Sequence, residues 1–147
     1  RDIPLHCCIA EENKVLEGGN VYFAPGEIHS DVIRNASGKF QVIFSDGAPE
    51  HHCKPAVDVT LRSVAEISPK VRALVVILTG MGSDGALGAK MLTDAGAKVI
   101  VQDKESSVVW GMPGATVKLD AADDVLPVDR IGEAIENYAK GISRASK

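Results

Sequence analysis

The second half of the chain alternates short apolar runs with segments whose apolar residues recur at helical spacing. Residues 74–79 form an apolar run of strand length, and Lys98–Gln102 form a second one. Between them, Leu87, Met91 and Ala95 fall on one face of a helix that ends near Gly96. Such alternation predicts a parallel sheet with right-handed crossovers and helices on its faces.

Further elements are predicted on either side of this unit. Apolar residues at helical spacing indicate a helix between Pro55 and Pro69. A short helix is expected from Pro113 and a short strand around Val125. The final helix is expected to begin with Asp129 as its N-cap.

The first half of the chain is predicted to contain short strands joined by turns. Residues 5–10 are apolar enough for a buried strand, and residues 31–34 and 39–44 flank a turn that is typical of a hairpin. The predicted fold class is therefore α/β, with a parallel sheet flanked by helices (three-layer, doubly wound type) and an antiparallel hairpin excursion. We expect residues 1–147 to form a single domain.

Composition and charge restrict the classes of partner. A formal net charge of -4 gives no basic field for nucleic acid or anionic lipid. No run approaches the roughly 20 apolar residues of a membrane span, so no membrane insertion is expected. Three cysteines are too few for a disulfide framework, which indicates a reducing, cytoplasmic setting. We expect all three to behave as small buried hydrophobes.

Candidate chemistry lies in the loop that follows the first apolar run, from Gly80 to Gly85. Its sequence, GMGSDG, matches the G-x-G-x-x-G pattern and leads into a helix. A second loop, residues 103–112, leaves the same carboxyl edge of the predicted sheet. Because functional crevices of parallel sheets lie at that edge, we expect the site where the two loops converge.

Several interpretations of this loop remain open on the residues alone. In a dinucleotide-binding module, Asp103 would hold a ribose hydroxyl, but the Asp84 carboxylate would compete with a pyrophosphate for the backbone N–H groups. Alternatively, Ser83 or Asp84 is only the N-cap of the helix. A Ser83 nucleophile is disfavoured because Met81 stands where G-x-S-x-G requires glycine. Asp84 could also orient the histidine of a Ser-His-Asp triad, with the Met81 N–H in an oxyanion hole.

Residues 78–86, LTGMGSDGA, resemble the LTGMGxDGA signature of the chemotaxis protein-glutamate methylesterases, the CheB family. Three other segments agree in order: residues 21–26 with His29 resemble "YIAPG…H", residues 54–58 resemble "RPSVD", and residues 107–113 resemble "VVFGMP". The similarity extends over nearly the whole chain and is closest to the C-terminal catalytic domain of the family.

The resemblance implies a reaction and a set of site residues. The reaction is hydrolysis of glutamate methyl esters, often with deamidation of glutamines, on the cytoplasmic helices of chemoreceptors. Asp84 matches the triad acid and Met81 the backbone oxyanion donor, while Trp110 and Met112 match the rim of the active site. A regulatory receiver domain is expected in the full-length protein. No cofactor and no metal ion are implied.

The chain departs from the family pattern in one respect. The family's serine lies in a "GASTGG" loop and its histidine in a "QHMP" segment, both upstream of the matching region, and neither motif occurs in these 147 residues. We therefore expect the first strands of the family fold to be missing and this chain alone to be inactive. A non-catalytic homologue that docks to receptors is the further alternative.

The four histidines, His6, His29, His51 and His52, do not match the catalytic one. A metal site at His51, His52 and Cys53 is not expected, because adjacent residues rarely point at one ion and no second pair has metal-ligand spacing.

Overall fold

The structure is a computed structural model that describes residues 5–67 and 72–141. Within these ranges the elements occur in the order β1 (His6–Ile9), β2 (Asn20–Phe23), β3 (His29–Arg34), β4 (Phe40–Ser45), α1 (Val57–Ile67), β5 (Leu74–Ile77), α2 (Ala86–Asp94), β6 (Lys98–Gln102), α3 (Met112–Lys118), β7 (Asp124–Leu126) and α4 (Val128–Ala139).

The second half forms the parallel sheet that its alternating pattern predicts. Strands β5, β6 and β7 lie side by side in chain order, with Leu74 opposite Lys98 and Ile100 opposite Asp124. The α/β fold class is thereby confirmed. In the described part of the chain β5 pairs only with β6, so its other edge carries no ladder partner.

The core lies between this sheet and α2. Val99 and Val101 point to one face of β6 and are buried together with Ala89 and Leu92 of α2. Ile100 faces the opposite side and is also buried, and α4 lies against β6. Helix α1 packs on both α2 and strand β3, which joins the two halves of the chain.

The first half contains two separate strand pairs. Strands β3 and β4 form the predicted antiparallel hairpin, with Val32 opposite Val42. Strands β1 and β2 pair in parallel, with Cys7 opposite Val21. The prediction of a buried strand at residues 5–10 is wrong, since Ile9 is 65% exposed and only Ala10 is buried. Among the described strands β1 has β2 as its only neighbour, which leaves its side chains uncovered.

Two further predictions need correction. Cys7 and Cys53 are exposed rather than buried, because they lie on the uncovered strand β1 and in the turn before α1. All three cysteines are free. The N-cap of α4 is Pro127 in an extended conformation, so Asp129 lies within the first turn instead of capping it. None of the helices in the described ranges is long and apolar enough to cross a membrane.

Candidate functional site

The loops that follow β5 and β6 meet at the carboxyl edge of the sheet. The Gly80 N–H donates to the Val109 carbonyl at 3.0 Å, and the Met112 N–H donates to the Gly80 carbonyl at 2.8 Å. Thr79 adds a side-chain tie, because its Oγ1 accepts the Val109 N–H at 2.9 Å. The expected convergence of residues 80–85 and 103–112 is therefore confirmed.

Glycine is required for this close approach. A Cβ added at Gly111 would lie 2.7 Å from the Gly80 carbonyl oxygen and 2.9 Å from the Gly82 nitrogen, which no real side chain tolerates. Gly82 and Gly85 adopt φ angles of 85° and 88°, in the left-handed region that favours glycine. Glycine thus allows the backbones of the two loops to come into contact at Gly111, and it allows the sharp turn at Gly82 and Gly85.

Gln102, the last residue of β6, is hydrogen-bonded to both loops. Its side chain is buried; Oε1 accepts the Thr79 N–H at 2.8 Å, and Nε2 donates to the Ser106 carbonyl at 2.8 Å. A buried amide satisfies one donor and one acceptor at once, which neither leucine nor glutamate could do here. Gln102 was not predicted as a site residue, although a polar residue at the end of an apolar strand is a usable signal.

Asp84 is buried, with 5% of its surface exposed, and both of its carboxylate oxygens are engaged. Oδ2 accepts the Val57 N–H at 2.7 Å, and Oδ1 accepts the Asp58 N–H at 2.9 Å. These donors are the first two N–H groups of α1, so Asp84 caps a helix distant in sequence. The alternative that Asp84 or Ser83 caps α2 is wrong: the N-cap of α2 is Gly85, without a side-chain hydrogen bond.

Asp58 makes the converse connection. It lies in the first turn of α1 and is fully buried. Its Oδ1 accepts the Gly88 N–H in the first turn of α2 at 2.7 Å, and its Oδ2 accepts a hydrogen bond from His51 Nε2 at 2.9 Å. We call Asp58 and Asp84 the carboxylate pair. Sequence reasoning missed both Asp58 and His51 as parts of the site, because the contacts span up to thirty residues of chain.

Potential metal-ligand atoms of His51, Asp58 and Asp84 lie within 4.8 Å of one another. His51 thus lies close to two carboxylates, a contact that the sequence did not predict. Each of the four carboxylate oxygens already accepts one N–H hydrogen bond. Hydrogen bonding thus accounts for the burial of the two carboxylates without a cation, while His51 lies exposed beside them.

The carboxylate pair also bears on the dinucleotide alternative. A pyrophosphate would need the free N–H groups at the start of α2, but the Asp58 carboxylate accepts the Gly88 N–H and the Asp84 carboxylate lies beside it. The Asp103 side chain is engaged within its own loop: Oδ1 accepts the Ser106 hydroxyl at 2.6 Å and the Ser106 N–H at 2.9 Å. These two hydrogen bonds lower the pKa of the Asp103 carboxyl.

The other predicted site residues surround the same loop. Met81 lies at the tip with 85% of its surface exposed, and none of the described residues accepts a hydrogen bond from its N–H. Met112 packs beneath the loop, since a Cβ on Gly80 would lie 2.5 Å from its Sδ. Trp110 packs on Gly114 and borders a cavity of about 430 Å³. The cavity is lined by Gly82, Ser83, Trp110, Gly111, Gly114, Ala115 and Lys118.

Comparisons with known proteins show the family to which the chain is related. A family model described as CheB methylesterase matches residues 1–135. A protein-glutamate methylesterase/protein-glutamine glutaminase of Hahella chejuensis is 44% identical over 138 residues, which is 94% of this chain and 38% of the relative. The protein of the same name from Maricaulis maris is 43% identical over 93% of this chain and 34% of its own length.

A solved structure shows the same fold. The crystal structure of the Thermotoga maritima CheB methylesterase catalytic domain superimposes with a TM-score of 0.83 at 39% identity. The match covers 88% of this chain and 67% of that one. The chain thus spans well under half the length of the two curated relatives, and about two thirds of a catalytic domain. On the family model and these identities, the chain belongs to the CheB methylesterase family.

Proposed function

We propose that this chain is the acid-bearing part of a protein-glutamate methylesterase domain, in which Asp84 is the third member of a Ser-His-Asp triad. The observation that carries the proposal is the buried Asp84 carboxylate, held by two N–H groups at the carboxyl edge of the sheet. A triad acid must stay ionised and fixed in order to hold the imidazole in one tautomer and orientation. Each oxygen keeps a further lone pair for that histidine.

Met81 is proposed to supply the oxyanion donor through its backbone. Its N–H lies in the same loop as Asp84 and has no acceptor among the described residues. A preorganised donor of this kind stabilises the negative charge that develops on a carbonyl oxygen during attack on an ester.

The proposed substrate is a methylated glutamate on a chemoreceptor helix, with glutamine deamidation as a second reaction. The surface of the two edge loops suits a protein substrate, because Met81 and Val108 on these loops expose 85% and 90% of their surfaces. Trp110, on the second of these loops, borders the cavity. We propose Trp110 and Met112 as rim residues of this site. A receiver domain in the complete protein and a cytoplasmic location belong to the same proposal.

The serine and histidine of the triad would come from the upstream segments that the family carries. The test is to join the chain behind the corresponding N-terminal part of the Hahella chejuensis relative and to measure methanol release from methyl-esterified receptors. We expect the fusion to release methanol and the 147-residue chain to show at most a residual rate. A folded fusion that binds receptors without releasing methanol would contradict the proposal and favour a docking protein.

Two aspartates of the α2 region give a matched comparison in the fusion. Asp84→Asn should lower kcat by about 10⁴-fold, because the histidine loses its orienting charge. Asp94→Asn changes an exposed aspartate at the far end of α2, paired with Lys90, and should leave kcat unchanged. Equal effects of the two substitutions would show that Asp84 is not the triad acid.

The oxyanion role of Met81 can be separated from its side chain. Met81→Ala keeps the N–H and removes only exposed apolar surface, whereas Met81→Pro removes the N–H. We expect Met81→Pro to lower kcat a further 10²–10³-fold, roughly the loss on removing one oxyanion donor. Similar kcat values for the two folded variants would assign the donor elsewhere.

A further inference from the structure

We propose that Asp58 is a positioning residue for Asp84, because it locks the two helix N-termini between which the Asp84 carboxylate is held. The inference rests on the proposed function of Asp84. We infer no contact between Asp58 and a substrate or the reacting atoms. It acts through the backbone that holds the triad acid.

The orientation of Asp84 depends on the position of α1. In the described part of the chain, its carboxylate accepts hydrogen bonds from Val57 and Asp58, the first two residues of that helix. Asp84 itself lies two residues before α2 begins. Any shift of the α1 N-terminus relative to α2 would therefore rotate the carboxylate or break its hydrogen bonds.

Asp58 controls that relative position. Its side chain leaves α1 and accepts the Gly88 N–H of α2 at 2.7 Å, four residues after Asp84. The approach is tight, since a Cβ on Gly88 would lie 2.5 Å from Leu61 Cβ and 3.2 Å from Asp58 Oδ1. Three backbone N–H groups and three carboxylate oxygens thus close a ring between the two helices, and Asp58 supplies one of the N–H groups and one of the oxygens.

His51 fixes the second oxygen of Asp58. Its Nε2 lies 2.9 Å from Oδ2 and must be the donor, because an ionised carboxylate only accepts. The loop that carries His51 is itself tied to α1 by the bidentate Glu50–Arg62 ion pair. The Asp58 carboxylate is therefore held from two directions and cannot rotate freely.

The first arm of the test measures the Asp84 hydrogen bond in the 147-residue chain. Scalar coupling across a hydrogen bond, between the Val57 amide nitrogen and the Asp84 carboxylate carbon, reports that contact directly. We expect to observe the coupling in the parent and in Asp58→Asn. The asparagine keeps an oxygen that accepts the Gly88 N–H, and its amide can donate to His51 in the tautomer whose Nε2 is an acceptor. In Asp58→Ala we expect the coupling to disappear; its persistence there would overturn the proposal.

The second arm measures kinetics in the fusion with the serine- and histidine-bearing segment. A displaced triad acid should lower kcat by up to about 100-fold for a shift near 1 Å. KM should stay unchanged, because the acid acts on the transition state and not on substrate binding. We expect this in Asp58→Ala and substantial rescue in Asp58→Asn. Active sites are counted with a serine-reactive phosphonate, so that loss of folded protein does not count as loss of kcat.

Asp123→Ala is the matched control for structural damage. Asp123 also accepts a backbone N–H, from Val99 at 2.7 Å, but at the amino end of β6, away from the loops. It should lower stability and leave kcat per active site unchanged. An Asp58→Ala enzyme with parental kcat per active site, or a fall equal to that of Asp123→Ala, would overturn the positioning role.

The two arms separate this inference from the proposed function. A parent fusion without esterase activity would reject the assignment of Asp84 as a triad acid. The hydrogen-bond coupling would still decide whether Asp58 positions the Asp84 carboxylate.

Discussion

Asp58 and Asp84 cap each other's helices through their carboxylates. Asp58 lies in α1 and caps α2, while Asp84 immediately precedes the turn into α2 and caps α1. Neither helix relies on a side chain at its own N-cap for these donors, and the two N-termini are held together instead. The exchange places a buried carboxylate, held by two hydrogen bonds, at the carboxyl edge of the sheet.

This exchange predicts a large loss of stability when the Asp84 carboxylate is removed. Asp84→Ala leaves the Val57 and Asp58 N–H groups without their acceptor, and we expect the free energy of unfolding to fall by about 3 kcal/mol. Asp84→Asn retains one oxygen and should lose about half as much. Urea titration followed by circular dichroism measures both values.

Ser83→Ala is the control for that measurement. Ser83 is the exposed neighbour of Asp84, and its side chain lies outside the hydrogen-bonded ring. The free energy of unfolding should change by no more than about 0.5 kcal/mol. If Asp84→Ala were equally mild, water would be replacing the carboxylate and the capping role would be wrong.

Two glycines should respond to alanine with opposite signs. Gly111→Ala places a methyl group 2.7 Å from the Gly80 carbonyl oxygen and should force the two edge loops apart, at a cost of about 2 kcal/mol or more. Gly132 lies inside α4 with open space around it, and Gly132→Ala should stabilise by about 0.5–1 kcal/mol. Thermal unfolding of the two variants tests both signs, and a stable Gly111→Ala protein would show that the loops are not in close contact.

The sequence pattern predicted most of the second half because its signals are local. An apolar β-branched run defined Lys98–Gln102 without error, and glycine at 96 ended the preceding helix near the expected position. The LTGMGxDGA resemblance located the loop that carries Asp84. These features depend on neighbouring residues and on one motif, which a single sequence contains.

The contacts that shape the site depend on residues distant in the chain. Nothing local to Asp58 indicates that its side chain leaves its own helix for Gly88, thirty residues away. The exposure of Ile9 was also missed, because burial of a strand depends on what lies against it rather than on its own apolar content. An acidic residue in the first turn of a helix is expected to interact favourably with the helix dipole. That expectation does not identify the group to which its side chain is hydrogen-bonded.

Gln102 should hold the two edge loops together through its side-chain hydrogen bonds. Gln102→Leu removes an acceptor from the Thr79 N–H and a donor from the Ser106 carbonyl, so we expect a loss of about 2 kcal/mol in the free energy of unfolding. Amide exchange of residues 103–111 should accelerate in the same variant. Gln41→Leu, at an exposed hydrogen bond to Asn13, is the control and should change neither quantity appreciably. Unchanged exchange in Gln102→Leu would mean that the loops hold their positions without it.

The loop after β6 should also respond to acid through Asp103. Hydrogen bonds from the Ser106 hydroxyl and N–H hold the pKa of the Asp103 carboxyl below its usual 3.8. A pKa lowered by folding adds stability above the unfolded value, and this contribution disappears as the pH falls through the folded pKa. In Ser106→Ala we expect the Asp103 pKa to rise toward 3.8, measured from the carboxyl carbon shift by NMR.

Ser107→Ala is the matched control for this titration. The Ser107 hydroxyl donates to the Asp103 backbone carbonyl at 2.6 Å and not to its carboxylate. The substitution should therefore leave the Asp103 pKa in place while removing a serine hydroxyl from the same turn. If the Asp103 pKa rose equally in both variants, the fold of the loop would be the cause of the lowered pKa. If it rose in neither variant, the hydrogen bond from the Ser106 hydroxyl would not be the cause.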